Sequence, residues 1–416
     1  MSNALSNAFG KIVILGAGLA GLTVAESLRA EGYDGAITLV GAEAHAPYQR
    51  PPLSKGFLLG TTQAAQLVMR SPELLAKKGI HLKVDAGATV IDRAARRVTL
   101  SSGEILDYTG LAVCTGARLR PLPLPGAGSQ GIFGLRSLDD ARTLATALET
   151  AHHVVVIGGG FIGLEVAAAA RKKSLDVTVL EAAPRLMSRV VAAQISQFYH
   201  DLHTAHGTHI VCNAVVTELV TQDGRIVAVR TQEGQEFAAD LLIVGIGVIP
   251  DTAMAATAGI VCAANAGNAI SVDACSRTSD PAIVAAGDCT ARHMDDGTWR
   301  CLESVQNAME QGKSAASALL GRNRPFTATP WFWSDQYNAK LQIAGLSGGF
   351  DQTVRRDTPG AAASFSLFYF RNGSLIAVDS INQPADHTAA CRILDNNLPL
   401  TPAQVTDATL PLISGC

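Results

Sequence analysis

An α/β architecture, with two Rossmann-like dinucleotide-binding domains and a small α+β C-terminal domain, follows from three features of the 416-residue sequence. A short apolar run leads directly into a glycine-rich turn and then a helix, the order that a dinucleotide site needs. The same succession returns at Val154. From Pro330 onward the chain turns aromatic and β-forming, although aromatics make up only 5% of the whole, so a further structural region begins there.

Ile12, Val13, Ile14 and Leu15 are too few for a helix and rich in β-branched residues, and read as a buried parallel strand. Gly16-Ala17-Gly18-Leu19-Ala20-Gly21 follows. In such a turn Gly16 reverses the chain, Gly18 lets backbone amides approach a pyrophosphate, and Gly21 packs helix on strand. The exposed amides and the positive end of the helix dipole hold the phosphates. Residues 37–45 form the second strand, with Glu43 the candidate acid for an adenosine ribose hydroxyl and a solvated loop carboxylate as the alternative. Pro47, Pro51 and Pro52 then fix an extended path. Ser54 is expected to cap a short turn, and Arg50 and Lys55 to present two cations to a cofactor. Residues 80–116 alternate in period two around turns at Asp92-Arg93 and Ser102-Gly103, which predicts an antiparallel excursion returning to an apolar strand over 111–116.

A Pro/Gly-rich connector over 118–131 marks a domain boundary, and Ser137 caps a helix running to Leu148, with Asp139 and Asp140 in its first turn. The second copy then begins. Val154-Val155-Val156-Ile157 leads into Gly158-Gly159-Gly160-Phe161-Ile162-Gly163, then Glu165 on an alanine-rich helix and a strand ending at Glu181. Another antiparallel excursion, over 215–240, ends in the strand LLIVGIGVIPD. Fingerprint, acid, meander and terminal strand thus occur twice, over 12–118 and 154–251, and the repeat is more specific than either fingerprint alone. Two dinucleotides bound face to face is the direct implication. The run 279–289 adds an apolar strand ending at Gly287-Asp288. A helix follows with Val305, Ala308, Met309, Gly312, Ala315, Ala316 and Leu319 on one face, stopped by Gly321. The expected domains are a discontinuous 8–117 and 248–325, a second over 118–247, and a third over 326–416. The third holds WFWSDQY, a hairpin at Arg371-Asn372-Gly373 and a short helix from His387 to Leu394.

A net charge of −3 argues against a nucleic-acid-binding surface. No apolar stretch reaches the roughly 20 residues that span a bilayer. The amino terminus has no basic region ahead of its apolar run, so no secretory signal is read and a cytoplasmic location is expected. Cys114, Cys212, Cys262, Cys275, Cys289, Cys301, Cys391 and Cys416 form no CxxC or CxxxxC pair, which excludes a local redox disulfide and the usual local metal signatures. No metal site is expected.

The words GAGLAG, RPPLSK, TGARLRPLP, VVVIGGGFIGLEVA, AGDC, LESVQNAMEQ and WFWSDQY occur in order through nearly the whole chain. On them the chain resembles the FAD-dependent, NADH-using ferredoxin reductases of bacterial oxygenase systems, of the putidaredoxin reductase type that feeds cytochrome P-450 monooxygenases. The resemblance implies a glutathione reductase-like fold, a 2Fe-2S ferredoxin as partner, no membrane association, and a monomer or weak dimer. It implies that Gly16, Gly18, Leu19, Ala20 and Gly21 hold the FAD pyrophosphate, with Arg50, Lys55, Ala88, Arg136, Asp288 and Val305 completing that site. Gly158, Gly160, Phe161, Ile162 and Gly163 would hold NADH, with Glu181 on its ribose. Thr115 and Gly116, at the end of the first terminal apolar run, and Gly247, within the second, join the cofactor-binding set. Ala42 departs from relatives that can carry an acid there.

In the expected mechanism Phe161 gates or stacks at the nicotinamide face, Glu165 positions the nicotinamide, and Lys55 lies near flavin N5 paired with Glu165. A first-turn helix acid favoured by the dipole is the alternative for Glu165. The helix end near Val305 should face the flavin pyrimidine. Glu181 would repel a 2′-phosphate, and Ala182 and Ala183 offer it no arginine, so NADH is expected over NADPH. With no cysteine pair, electrons must leave to an external carrier. Lys313, Arg322 and Arg324, with Trp331 or Trp333, are the candidate docking residues, and solvated surface charge is their alternative. The competing functions are an NADH oxidase or peroxidase, whose redox cysteine is missing before Cys114; an apoptosis-inducing-factor-like binding flavoprotein, which predicts a basic surface; and an oxygenase, which lacks an evident iron site.

Overall fold

The computed structural model describes residues 10–294, 297–358, 363–407 and 411–412. The chain divides into two compact units: Met1–Gln49 (described from Gly10), Ala65–Arg118 and Val248–Ala328 form the first, and Arg50–Ala64, Leu119–Gly247 and Thr329–Cys416 the second. Residues 50–64, expected in the first dinucleotide domain, therefore group with the second unit, as does the region expected to stand as a third domain.

In the first unit a five-stranded sheet runs in the order Ile283–Ala285, Gly110–Val113, Lys11–Leu15, Ala36–Val40, Ile80–Lys83, with every neighbouring pair parallel. Alternate side chains of its central strand serve two cores, as a strand buried on both faces requires. Ile12 and Ile14 meet Leu22, Leu28 and Leu319 from the flanking helices, whereas Val13 and Leu15 meet Val98, Leu100 and Ile270. The helices Leu19–Ala30 and Val305–Leu319 approach closely at Gly312, where a Cβ would lie 2.8 Å from Thr23 Cβ and 2.9 Å from the Ala20 carbonyl oxygen. Met309, expected on the buried face, is 38% exposed; the contact stripe runs instead through Ala308, Gly312, Ala315, Ala316 and Leu319.

The antiparallel excursion is shorter than its period-two pattern. Ala88–Asp92, Arg97–Leu100 and Ile105–Asp107 form it, while Ile80–Lys83 pairs parallel to Ala36–Val40. The helix Pro72–Lys77, started by Ser71, lies just before Ile80 and supplies the crossover that a parallel neighbour needs.

The second unit repeats the plan. Its parallel sheet runs Ile132–Phe133, Leu241–Val244, His153–Ile157, Asp176–Glu181, His209–Cys212, the same relation of fingerprint strand to neighbours as in the first unit. A meander of Val216–Gln222, Arg225–Thr231 and Glu236–Ala238 accompanies it. The C-terminal region adds an antiparallel sheet ordered Trp331–Gln336, Ala339–Gly345, Ser374–Ile381, Phe365–Arg371, Gln352–Asp357. Its hairpin turns at Asn372 and Gly373, whose φ angles of 51° and 75° are those of a type I′ turn. The helix Pro384–Asp395 packs Ala390 and Ile393 against Ala344, Phe368 and Val378 of this sheet. No helix among the described residues is long and apolar enough to cross a membrane.

Candidate functional site

The two glycine turns are built alike. Gly16 sits at φ +110° and Gly158 at φ +106°, and a Cβ would fall 2.0 Å from the Cys114 carbonyl oxygen in one case and 2.4 Å from that of Gly245 in the other. Both positions admit only glycine. Gly18 and Gly160 are the N-caps of Leu19–Ala30 and Phe161–Lys172, with no side-chain cap and no atom within 4 Å of a would-be Cβ. By contrast, hydroxyls cap the helices that follow Ser71, Ser137 and Ser304. Open space before an uncapped helix end fits a phosphate group, so the residues present suit two dinucleotides. Leu19, Ala20 and Gly21, and Phe161, Ile162 and Gly163, form the first turns of these helices; Ile162 is 46% exposed.

Beside the first turn lies a cavity of about 120 Å³ that brings together Gly16, Ala42, Ala88, Thr115, Asp251 and Met254. Thr115 donates to the Asp251 carbonyl oxygen at 2.6 Å, and the Asp251 amide donates to the Gly116 carbonyl oxygen at 2.9 Å, so Thr115 and Gly116 fix one wall. Glu43 does not line this cavity; its Oε2 accepts from Tyr48 Oη at 2.5 Å. Register explains the missing acid. Gly16 N bonds Val40 O and Gly158 N bonds Leu180 O, which makes Gly41 the counterpart of Glu181. A Cβ at Gly41 would lie 2.8 Å from Ala17 Cβ, whereas Glu181 faces Gly159, which has none. Glu181 accepts from the amides of Gly159 (2.6 Å) and Ala183 (2.7 Å). The nearby Arg185 is drawn the other way, donating to the Val191 and Ser188 carbonyls and to Ser196 Oγ.

Lys55 and Glu165, 110 residues apart in sequence, meet at 2.7 Å between Nζ and Oε2. The Glu165 side chain is 1% exposed and that of Lys55 21%. Ser54 Oγ donates to the same Oε2 at 2.5 Å and Ser334 Oγ to Oε1 at 2.6 Å. Glu165 is thus a buried acceptor of one ammonium and two hydroxyls, and it lies beyond the first helical turn, where the alternative reading would have the dipole favour it. One turn before it on the same helix, Phe161 packs on Phe332 with ring centroids 4.7 Å apart. Phe161 and Glu165 are spaced by four residues on a helix, Phe332 and Ser334 by two on a strand. Those steps are roughly 6 and 6.7 Å, so the two elements mesh in register.

Arg50, in the second unit with Lys55, donates to the Arg136 carbonyl oxygen at 2.7 Å, and Asp140 accepts from the amides of Arg136 and Ser137 at the helix start. In the first unit Asp288 follows Gly287 in a turn whose Gly287 amide donates to Gln311 Oε1 at 2.8 Å. Val305 opens the helix that Ser304 caps. Gly247 accepts at its carbonyl from the Arg120 amide at 3.0 Å. The candidate docking cations are locally balanced: Lys313 lies 2.6 Å from Glu310 and Arg322 2.8 Å from Glu31, which leaves Arg324 exposed.

Ser54 and Ser334 belong to the site although nothing in the sequence marks them as site residues. Ser54, expected to cap a turn, instead ends the short 3₁₀ segment Pro51–Ser54 and turns its hydroxyl to Glu165. In WFWSDQY it is the polar residues Ser334 and Gln336 that are buried, while Trp331, Phe332 and Trp333 stay half-buried. Period-two alternation through that word was the available signal of that burial.

Comparison with known proteins agrees with this geometry. Residues 10–312 match the family described as pyridine nucleotide-disulphide oxidoreductase, and residues 331–414 the one described as reductase C-terminal. Rhodocoxin reductase of Rhodococcus erythropolis is 43% identical over 96% of this chain and 93% of its own length. Putidaredoxin reductase of Pseudomonas putida is 40% identical over 98% and 96%. A crystal structure of a ferredoxin reductase from Rhodopseudomonas palustris superposes with a TM-score of 0.93 at 42% identity, covering 97% of this chain and 98% of that one. The chain belongs to the pyridine nucleotide-disulphide oxidoreductase family, among the ferredoxin reductases that carry the reductase C-terminal domain.

Proposed function

We propose that this protein is an FAD-dependent NADH:ferredoxin oxidoreductase that supplies single electrons to a 2Fe-2S ferredoxin of a cytochrome P-450 or related oxygenase system. The observation that carries the reading is the pair of uncapped, glycine-only cradles in one chain. When bound, FAD supplies the conversion of a two-electron hydride from NADH into two one-electron transfers. Gly16, Gly18, Leu19, Ala20 and Gly21 would hold its pyrophosphate, with Ala88, Thr115, Gly116, Asp288 and Val305 in the same unit. Gly158, Gly160, Phe161, Ile162, Gly163 and Gly247 would hold NADH, with Glu181 toward its ribose.

Phe161 and Glu165 occupy one face of the second cradle's helix, so one packs against the nicotinamide ring and the other holds its position, a matter of orientation. Lys55 balances the buried carboxylate and keeps a cation at the reacting face. No CxxC or CxxxxC pair offers an internal acceptor, which sends electrons outward. A cytoplasmic location, where NADH and reduced thiols coexist, belongs to the same reading.

The test is direct. The purified protein is expected to be yellow, to bleach with NADH in the absence of oxygen, and to reduce cytochrome c with NADH many times faster once a 2Fe-2S ferredoxin is added. A colourless protein, or cytochrome c reduction indifferent to ferredoxin, refutes it; the latter favours the binding flavoprotein.

A further inference from the structure

The hydrogen-bond chain that reaches Glu165 continues beyond it. Ser334 Oγ, which donates to Glu165, itself accepts from Gln336 Nε2 at 3.1 Å, and Gln336 Oε1 faces His203 Nε2 at 2.8 Å. An amide oxygen only accepts, so the His203 proton lies on Nε2. Glu165 is 3% exposed, Ser334 and His203 0%, and Gln336 1%, so the chain is closed to water. Every bond in it points toward Glu165. Such a series polarises cooperatively and strengthens the last donor.

Its far end is electrically quiet. Burial, opposed by the Gln336 bond, lowers the His203 pKa to about 4, so the ring is neutral. Nδ1 has no partner among the described residues, and Tyr337 packs edge-on to the ring at 5.1 Å. Buried polar groups cost more than apolar ones of similar size unless each is satisfied. Here three of them, from the strand Trp331–Gln336 and the helix Ala193–Ala205, are spent on orienting one carboxylate.

We propose that Ser334, Gln336 and His203 are positioning residues for hydride transfer: a one-directional hydrogen-bond relay that holds Glu165 oriented beside Lys55. This rests on the reading of Lys55 and Glu165 as the pair facing the nicotinamide.

The experiment uses the flavin-loaded full chain. In histidine-selective nitrogen NMR at neutral pH, His203 is expected as the neutral Nε2-protonated tautomer. Glu165→Gln should shift its ring signals, and in a Ser334→Ala background the same change should leave them still. In anaerobic stopped flow, Ser334→Ala should lower the limiting rate of flavin bleaching by NADH about tenfold, the worth of one hydrogen bond to a charge. Half-saturating NADH should move less than about twofold. His203→Phe should slow bleaching, and His203→Gln, which keeps a donor near Nε2, should restore it. Should Ser334→Ala fail to load flavin, Gln336→Met interrupts the relay at similar volume, with the same outcomes expected. Wild-type rates in Ser334→Ala or Gln336→Met, or His203 signals indifferent to Glu165→Gln, overturn the relay alone if Glu165→Gln still slows bleaching. Glu165→Gln at the wild-type rate overturns the relay and the underlying reading together.

Discussion

Glu181 Oε2 accepts a 2.6 Å hydrogen bond from the amide of Gly159, and it does so because residue 159 carries no side chain. A Cβ there would stand 3.1 Å from that oxygen and 2.5 Å from Leu186 Cδ2. The other cradle makes the opposite choice, with Ala17 in the turn and Gly41 at the strand end. Gly159→Ala is therefore expected to push Glu181 from its place and raise the apparent KM for NADH about tenfold, a contact loss on the order of 1.4 kcal/mol. Flavin content should not change. Steady-state kinetics with parallel absorbance spectra decides it, and an unchanged KM counts against Glu181 as a nucleotide contact.

Cofactor choice follows from the same carboxylate. Glu181 is held by two amides, and Arg185 is turned to carbonyls and a hydroxyl, away from a 2′-phosphate. NADH should exceed NADPH in kcat/KM by at least about tenfold, and Glu181→Ala should narrow the gap. Equal rates with both nucleotides in the wild-type protein would refute this.

Lys55→Met removes the ammonium held against a carboxylate that is 1% exposed at its side chain. A buried charge deprived of its partner costs about 3–5 kcal/mol. The variant should melt well below wild type and bleach slowly with NADH, and Lys55→Met/Glu165→Gln should recover most of the melting temperature without recovering the rate. Recovery of both would mean that the pair is purely structural.

Asp379 gives a pH signature unrelated to catalysis. It is fully buried, its Oδ2 accepts from Tyr369 Oη, and Tyr369 Oη also accepts from the Ala192 amide at 3.1 Å. Burial, only partly offset by the Tyr369 bond, raises its pKa from 3.8 to about 7. The folded protein therefore holds this proton more tightly than the unfolded chain. Its contribution is complete below about pH 4, erodes as pH rises, and is gone above about pH 7. Asp379→Asn keeps an acceptor for Tyr369 and cannot ionise. Melts should show a gain over wild type that is small near pH 4 and reaches on the order of 4 kcal/mol by pH 8. A gain independent of pH contradicts the assignment.

What was legible in the sequence was local. Each fingerprint is a contiguous word whose glycines are demanded by backbone atoms, and the turn at Asn372-Gly373 declares itself the same way. The antiparallel start at residue 80 misled because an alternating strand reads identically whichever way its neighbour runs. Ser54 and Ser334 were out of reach for a deeper reason. Their partner arrives from 111 and 169 positions away, and a serine in a turn or strand carries no mark of it. Arg322 looked free because Glu31, 291 positions away, could not yet be placed beside it, whereas Glu310 and Lys313 are an i, i+3 pair on one predicted helix.

The meshing of Phe332 and Ser334 with Phe161 and Glu165 makes the carboxy-terminal sheet a structural part of the second glycine cradle's helix. A protein cut short at residue 328 would retain both phosphate turns, yet Glu165 would lose one of its hydroxyl donors and Phe161 its aromatic backing. Such a fragment could still recognise nucleotides while having surrendered the means of aiming them.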